Sequence, residues 1–482
     1  KYGLEGLQQA IEHIHYPTDK NQLYSARKRL IFDEFFMFIY NIRNLKDKNT
    51  EIHNRHILEE PKEVKTLIND LPYELTNAQK RTWEEIKRDI SSTKVMNRLI
   101  QGDVGSGKTI VAFLSMYQTA LCHYQSALMA PTEVLASQHY QSFTELSERY
   151  HLNLSIVLLT GSMRAGQKKE ALRQIREHEA DIVIGTHAVI QEKVEFDDLA
   201  LVITDEQHRF GVAQRDALSK KGHTPHVLVM SATPIPRSLA MILYGDLDIS
   251  IMDELPAKRL PIKNCVVNIS YRPKAWDFII KQVQAGHQAY VICPMVEESE
   301  TSQGADVVSY TEQLREALPS YISIEYLHGK MKAKEKDDIM AHFAKNETQV
   351  LVSTTVIEVG INVPNATVIL IEDAQRFGLA QLHQLRGRVG RGDAQSYCIM
   401  IDTSGKEESA KRLEVLNHSN DGFAIANEDL KLRGPGDFFG IRQSGEIAFA
   451  VADIYQDAQL LKWAKEAADS AQVMAAVETH SI

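Results

Sequence analysis

The residues best equipped for chemistry follow a short apolar run, in Gly102-Asp103-Val104-Gly105-Ser106-Gly107-Lys108-Thr109. A G-x-x-x-x-G-K-T spacing between a strand and a helix lets successive backbone N–H groups wrap a β-phosphate while the helix start faces the anion. Lys108 can reach the β- and γ-phosphates, and the Thr109 hydroxyl can ligate Mg2+. An ordinary glycine turn does not require this combination, so the pattern predicts binding of a nucleoside triphosphate. Asp205-Glu206-Gln207-His208 closes the apolar run Leu199–Thr204. At the carboxyl end of a parallel strand, Asp205 can hold Mg2+ through water, and Glu206 can orient and deprotonate an attacking water.

Three weaker signals surround that pair. Leu71-Pro72-Tyr73-Glu74-Leu75-Thr76-Asn77-Ala78-Gln79 lies upstream of the glycine turn. A Gln79 amide can donate and accept at once, which matches the adenine N6/N7 edge, and Tyr73 can stack on a base. Thr76 and Gln79 can equally well cap a helix. Ser231-Ala232-Thr233-Pro234 ends another apolar run; its hydroxyls can bridge a hydrolysis site to a second lobe, or the segment is simply a turn. Gln384-Leu385-Arg386-Gly387-Arg388-Val389-Gly390-Arg391 carries three arginines at close spacing. Arg388 and Arg391 fit fingers that stabilise transition-state charge; taken alone they fit a basic, solvated helix start.

The flanking pattern supplies the elements to position these groups. From about 71 to 255, short apolar runs at Arg98–Ile100, Ala127–Ala130, Ile156–Leu159, Asp181–Ile184, Leu199–Thr204 and Val227–Met230 alternate with helical stretches. That alternation predicts βαβ units around a buried parallel sheet. After a Leu-Pro linker (Leu255-Pro256 through Leu260-Pro261), a second series follows at Ala289–Cys293, Ile322–Tyr326, Val350–Ser353, Thr367–Ile371 and Ser396–Ile401. Residues 1 to about 70 read as helical. Leu30, Ile31, Phe35, Phe36, Phe38 and Ile39 form an apolar stripe there, expected to pack against the next domain. Beyond about 405 the strand signals stop, and a Gly/Pro-rich stretch runs from Lys431 to Gly445 before a helical tail.

Composition bounds the class. The chain has 482 residues, 44% hydrophobic and 24% charged, enough for about three domains of ordinary globular type. No apolar run is long enough to predict a transmembrane helix, and no signal peptide opens the chain. Opening on Lys1 inside a helical pattern, it reads as a fragment of a longer protein. Cys122, Cys265, Cys293 and Cys398 are scattered without a C-x-x-C, which predicts neither zinc nor disulfides and fits a reducing cytoplasm. A net charge of −10 argues mildly against nucleic-acid binding, but basic clusters at Arg27-Lys28-Arg29 and between Lys431 and Arg442 leave room for a basic groove.

Taken in order, the phosphate loop, DEQH, SATP and Q-x-x-G-R-x-G-R resemble helicase superfamily 2 over about 71–400. The longer blocks Asp205–Val212, SATPIPR (Ser231–Arg237), Arg376–Gln381, Asp429–Gly440 and Arg442–Gly445 resemble its bacterial RecG branch. The resemblance implies an α/β fold of two tandem RecA-like parallel-sheet lobes with ATP and Mg2+ between them. It further implies a helical N-terminal segment (1–70), lobes at 71–258 and 259–405, and a C-terminal helical hairpin and loop, the translocation motif, at 406–482. It assigns Gln384 with the arginines to catalysis, Gly360 and Asn362 to the nucleotide, and His208, Ser231 and Thr233 to coupling. Arg433 and Gln443, with Lys431 and Arg442, are assigned to DNA, although the loop could be structural. The implied activity is ATP-driven translocation on double-stranded DNA that remodels stalled forks and branched recombination intermediates. A monomer with a single-strand-binding protein as partner is expected. A fragment of the transcription–repair coupling translocase and a non-hydrolysing, ATP-gated DNA-binding scaffold are the rival readings. Two departures stand out: residues 1–70 resemble the helical linker that follows the family's wedge domain, so a fragment lacking that wedge is expected, and Asn362 stands where many relatives carry Asp, keeping a hydrogen bond to ribose without the charge.

Overall fold

The computed structural model describes residues 2–50, 54–205, 224–232, 247–256, 260–294, 305–354, 363–433, 451–452 and 457–468. They form two compact units, one of residues 1–53, 235–249 and 430–482 and a larger one of 54–234 and 250–429. Among them no helix is long and apolar enough to cross a membrane.

In the larger unit, near-continuous apolar runs form strands buried on both faces. One sheet holds β1 (Asn97–Gly102), β2 (Gln125–Met129), β3 (Ile156–Leu159), β4 (Ile182–Gly185), β5 (Leu199–Thr204), β6 (His226–Ser231) and β7 (Asp248–Met252), in the order β3-β4-β2-β5-β6-β1-β7. From β3 through β1, neighbouring strands run parallel. Period-two alternation assigns the faces: Leu201, Ile203, Leu228 and Met230 enter one core, while Val202, Ala127 and Met129 enter the other. The second sheet holds β8 (Lys263–Asn268), β9 (Gln288–Ile292), β10 (Ile324–Leu327), β11 (Val350–Ser353), β12 (Ala366–Ile371) and β13 (Tyr397–Asp402), all parallel, in the order β10-β11-β9-β12-β13-β8. Ile369 and Ile371 point into one of its cores and Val368 and Leu370 into the other. This is the two-lobed α/β architecture expected, with the edge strands β7 and β8 added.

Residues 1–53 and 430–482 of the smaller unit are mainly helical where described. Helix Lys20–Thr50 packs its Ile31, Phe32 and Phe35 against Leu460, Leu461 and Ala464 of helix Ala458–Ala468. Glu34 accepts hydrogen bonds from the backbone N–H groups of Val451 and Ala452 (3.0 and 2.8 Å). The apolar stripe expected to face the next domain is therefore covered by the far end of the chain. Sequence periodicity shows that a face is buried, not what buries it.

Near the first lobe's amino-terminal edge, burial pushes the imidazole of His226 down to about 4 from an ordinary 6.5. Its Nδ1 accepts from the Met96 N–H (2.9 Å), a bond that a second proton would break. Between those two values the unfolded chain binds the extra proton and the folded chain does not. The contribution of His226 to stability is therefore full above pH 6.5 and is lost, by on the order of 1 kcal/mol per pH unit, as the pH drops toward 4. Thermal melting across this window is expected to show the decline, and His226→Gln to flatten part of it.

Candidate functional site

The phosphate loop leaves β1 at Gly102 and enters helix Lys108–Leu121. Gly105 and Gly107 sit at φ +80° and +84°, left-handed backbone that any side chain would strain. A Cβ on Gly107 would also stand 2.1 Å from Gln79 Nε2. Gly107 caps the helix without a side chain, so the first-turn N–H groups are left for an anion. Lys108 Nζ donates to the carbonyls of Gly102 (2.7 Å) and Asp103 (2.9 Å), which holds the ammonium at the loop's centre. Ser106 Oγ is buried and, among the described residues, has no hydrogen-bond partner.

A cavity of about 480 Å³ opens beside the loop. The first lobe lines it with Val104, Gly105, Lys108, Thr109 and Asp205, together with Gln138, His139 and Ser142 of helix Glu133–Arg149. The second lobe lines it with Arg388, Gly390 and Arg391. Residues far apart in sequence thus share one space, as a split site requires. Asp205 leaves β5 buried; its N–H donates to Met129 O (2.9 Å), and its Oδ2 lies 2.8 Å from His139 Nε2. Among the described residues no cluster of three or more His, Cys, Asp or Glu could hold a metal ion. The donor set of Thr109 and Asp205 nevertheless fits Mg2+, which keeps most of its water and takes one or two protein oxygens plus phosphate. Arg391 Nε donates to Gly387 O (3.0 Å), and Arg388 is buried.

The lobes also meet at a junction that sequence reading did not anticipate. His383 Nε2 hydrogen-bonds the Asp103 carboxylate, and Arg386 Nη2 lies 2.7 Å from His383 Nδ1. Arg386 can only donate, so Nδ1 accepts and Nε2 carries the proton given to Asp103. Burial pushes the Asp103 carboxyl up, but the His383 bond, the Val104 N–H and the Lys108 charge together hold it below the ordinary range. Arg386 Nη1 continues to Ser419 O (2.9 Å) and Leu416 O (3.3 Å), ahead of helix Gly422–Arg433. A Cβ on Gly387 would come within 3.0 Å of Val104 Cβ, so the phosphate loop and this arginine-bearing segment touch.

Other expected residues are placed differently. Thr76 and Gln79 form a reciprocal capping box on helix Asn77–Ile90, and Gln79 Nε2 donates to Ser106 O (3.0 Å). Each end of the Gln79 amide thus has one partner in the protein, and an amide can take a second partner at each end. Tyr73 is 48% exposed, away from the cavity's lining, with burial and the neighbouring Tyr150 raising its phenol. Gln384 is half-buried on helix Leu379–Arg386 and is not among the cavity-lining residues. Ser231 ends β6 buried, between the cavity-lining Met230 and Ala232. Lys431 and Arg433 lie on helix Gly422–Arg433, where the sequence pattern predicted a Gly/Pro-rich loop. Glu206, His208, Thr233, Gly360, Asn362, Arg442 and Gln443 lie outside the described residues.

The chain is similar to known proteins along nearly its whole length. The DEAD/DEAH box helicase family model matches residues 76–242, the helicase conserved C-terminal domain 273–393, and ATP-dependent DNA helicase RecG, domain 3, C-terminal, 419–479. The ATP-dependent DNA helicase RecG of Bacillus subtilis is 45% identical over 98% of this chain and 69% of its own length. The Thermotoga maritima protein of the same name is 44% identical over 97% and 60% respectively. A solved structure of RecG bound to a three-way DNA junction superposes with TM-score 0.78 at 41% identity, covering 96% of this chain and 60% of that one. Mss116p bound to single-stranded RNA and AMP-PNP shares the fold at TM-score 0.57 and 20% identity, over 74% of this chain and 76% of that one.

Proposed function

The chain belongs to the RecG family of ATP-dependent DNA helicases, and from that premise we propose that it hydrolyses ATP between its two lobes to drive itself along double-stranded DNA. Its substrates are stalled replication forks and branched recombination intermediates, acted on by fork regression and Holliday-junction branch migration. The reading rests above all on one cavity lined by Lys108, Thr109 and Asp205 from one lobe and by Arg388 and Arg391 from the other. The phosphate loop binds the triphosphate, and Tyr73, Thr76, Gln79, Gly360 and Asn362 complete the nucleotide pocket. Glu206 takes the proton of the attacking water; Gln384, Arg388 and Arg391 attend the γ-phosphate from the second lobe. Mg2+, held through Thr109 and Asp205, neutralises phosphate charge when bound. Ser231, Thr233 and His208 couple hydrolysis to movement, and Lys431, Arg433, Arg442 and Gln443 contact DNA. The protein acts as a monomer in the cytoplasm, with a single-strand-binding protein as a candidate partner.

ATP hydrolysis with Mg2+, measured without DNA and with duplex, forked or single-stranded DNA, tests this reading. Stimulation by duplex and forked DNA above single strands is expected; hydrolysis indifferent to all three would overturn it. Arg433→Ala is expected to leave DNA-free hydrolysis near normal but to slow triplex displacement about ten-fold or more, the scale of a lost charge-assisted contact. Wild-type displacement by that variant would make Arg433 a structural residue.

A further inference from the structure

We infer that His139 is a positioning residue for the metal site: it orients the Asp205 carboxylate before Mg2+ arrives. The inference rests on the proposed role of Asp205 and adds to it a residue outside the recognised motifs. His139 sits on helix Glu133–Arg149, is 6% exposed, and forms part of the wall of the nucleotide cavity. Its Nε2 lies 2.8 Å from Asp205 Oδ2, within hydrogen-bond range, and a carboxylate can only accept, so the ring donates.

The surrounding chain explains why this bond orients rather than merely fills space. Asp205 is held from two sides by one β-strand–helix unit. Met129, at the end of β2, accepts the Asp205 backbone N–H at 2.9 Å, and the helix that follows β2 supplies His139. With the backbone and Oδ2 both anchored, the plane of the carboxylate is set, and so is the direction of Oδ1. The ring is itself held in place: its centroid lies 6.0 Å from that of Phe143, one turn along the same helix. A carboxylate oriented in advance loses less freedom when it takes up the metal or the metal's water, and partners of this kind typically change metal affinity about 10–100-fold when removed.

The test compares His139→Leu, which fills the volume without a donor, with His139→Gln, whose amide can donate from a similar reach. Mn2+ binding, followed by its paramagnetic resonance in the presence of a non-hydrolysable ATP analogue, reads the site directly. The Mg2+ midpoint of ATP hydrolysis reads it through activity. His139→Leu is expected to require about 10–100-fold more metal in both assays, a far larger change than in nucleotide binding in EDTA, with most of the loss recovered in His139→Gln. A metal requirement in His139→Leu equal to wild type would overturn the inference. So would a parallel fall in metal-free nucleotide binding, which marks general packing damage. If His139→Leu does not fold, His139→Asn, too short to reach Oδ2, carries the same expectation. A wild-type protein that hydrolyses no ATP would sink the proposed function, while the Mn2+ measurement would still decide the role of His139.

Discussion

Glu206→Gln is expected to bind ATP as the wild type does and to turn it over about 10²–10⁴-fold more slowly, the contribution typical of a positioned general base. Glu206 follows Asp205 directly, and Asp205 stands buried at the carboxyl end of β5, where a parallel sheet presents ligands to its crevice. The amide keeps the shape of the side chain and can still hydrogen-bond water, but it cannot accept the proton that water must lose. The loss therefore belongs in kcat, with nucleotide affinity preserved. Pre-steady-state turnover, with equilibrium binding of a fluorescent ATP analogue beside it, separates the two. Turnover close to wild type would remove Glu206 from the chemistry.

Arg391→Ala is expected to lower kcat about 10³-fold at saturating ATP, in the range found where a finger arginine is supplied from outside the phosphate-binding lobe. Its guanidinium sits on the second lobe, held by Gly387 O, and lines the same cavity as Lys108 and Thr109 of the first. Charge on the transferring phosphoryl group peaks in the transition state, so a cation placed there stabilises that state more than bound ATP. Arg391→Lys keeps the charge without the planar fork and is expected to recover only part of the rate. A kcat unaffected by Arg391→Ala would show that the second lobe closes the cavity without serving the reaction.

Both expectations depend on the two lobes meeting where they do, and the contacts between them are specific. Asp103 and His383 are joined across the seam, with Arg386 fixing the tautomer that donates. The same Arg386 reaches the carbonyls of Leu416 and Ser419, which lead into helix Gly422–Arg433. Hydrogen bonds thus run from Asp103 of the phosphate loop through His383 and Arg386 to the Leu416 and Ser419 carbonyls, ahead of helix Gly422–Arg433.

Much of this was legible in the residues alone. The phosphate loop needs a contiguous run whose glycines permit left-handed backbone, and Gly105 and Gly107 occupy those positions as the spacing requires. The buried strands β1 to β6 and β9 to β13 announced themselves as apolar runs because both faces of a parallel sheet are covered. β7 and β8 escaped notice because neither is a continuous buried apolar run; β7, Asp-Ile-Ser-Ile-Met, opens on an exposed Asp248 and carries a polar Ser250. β8, Lys-Asn-Cys-Val-Val-Asn, is partly exposed throughout and opens on polar residues. The Thr76–Gln79 pair shows the limit of reading a side chain by its capabilities. A glutamine that can read adenine can also cap a helix; here its amide closes the capping box and holds Ser106 O, and the spacing alone did not say which of these contacts it would make.

What the chain's order of residues determined by itself was therefore local: a triphosphate-binding turn, a carboxylate at a strand end, arginines at close spacing and two series of buried strands. Each depends on backbone geometry and burial over a few neighbouring positions. The tertiary structure alone decided that Arg388 and Arg391 share a cavity with Lys108, and that His383 faces Asp103. It also decided that His139 holds Asp205, and that Phe35 packs on the far end of the chain. These partners lie tens to hundreds of residues apart. Their meeting follows from how sheets stack and lobes dock, which no local spacing records.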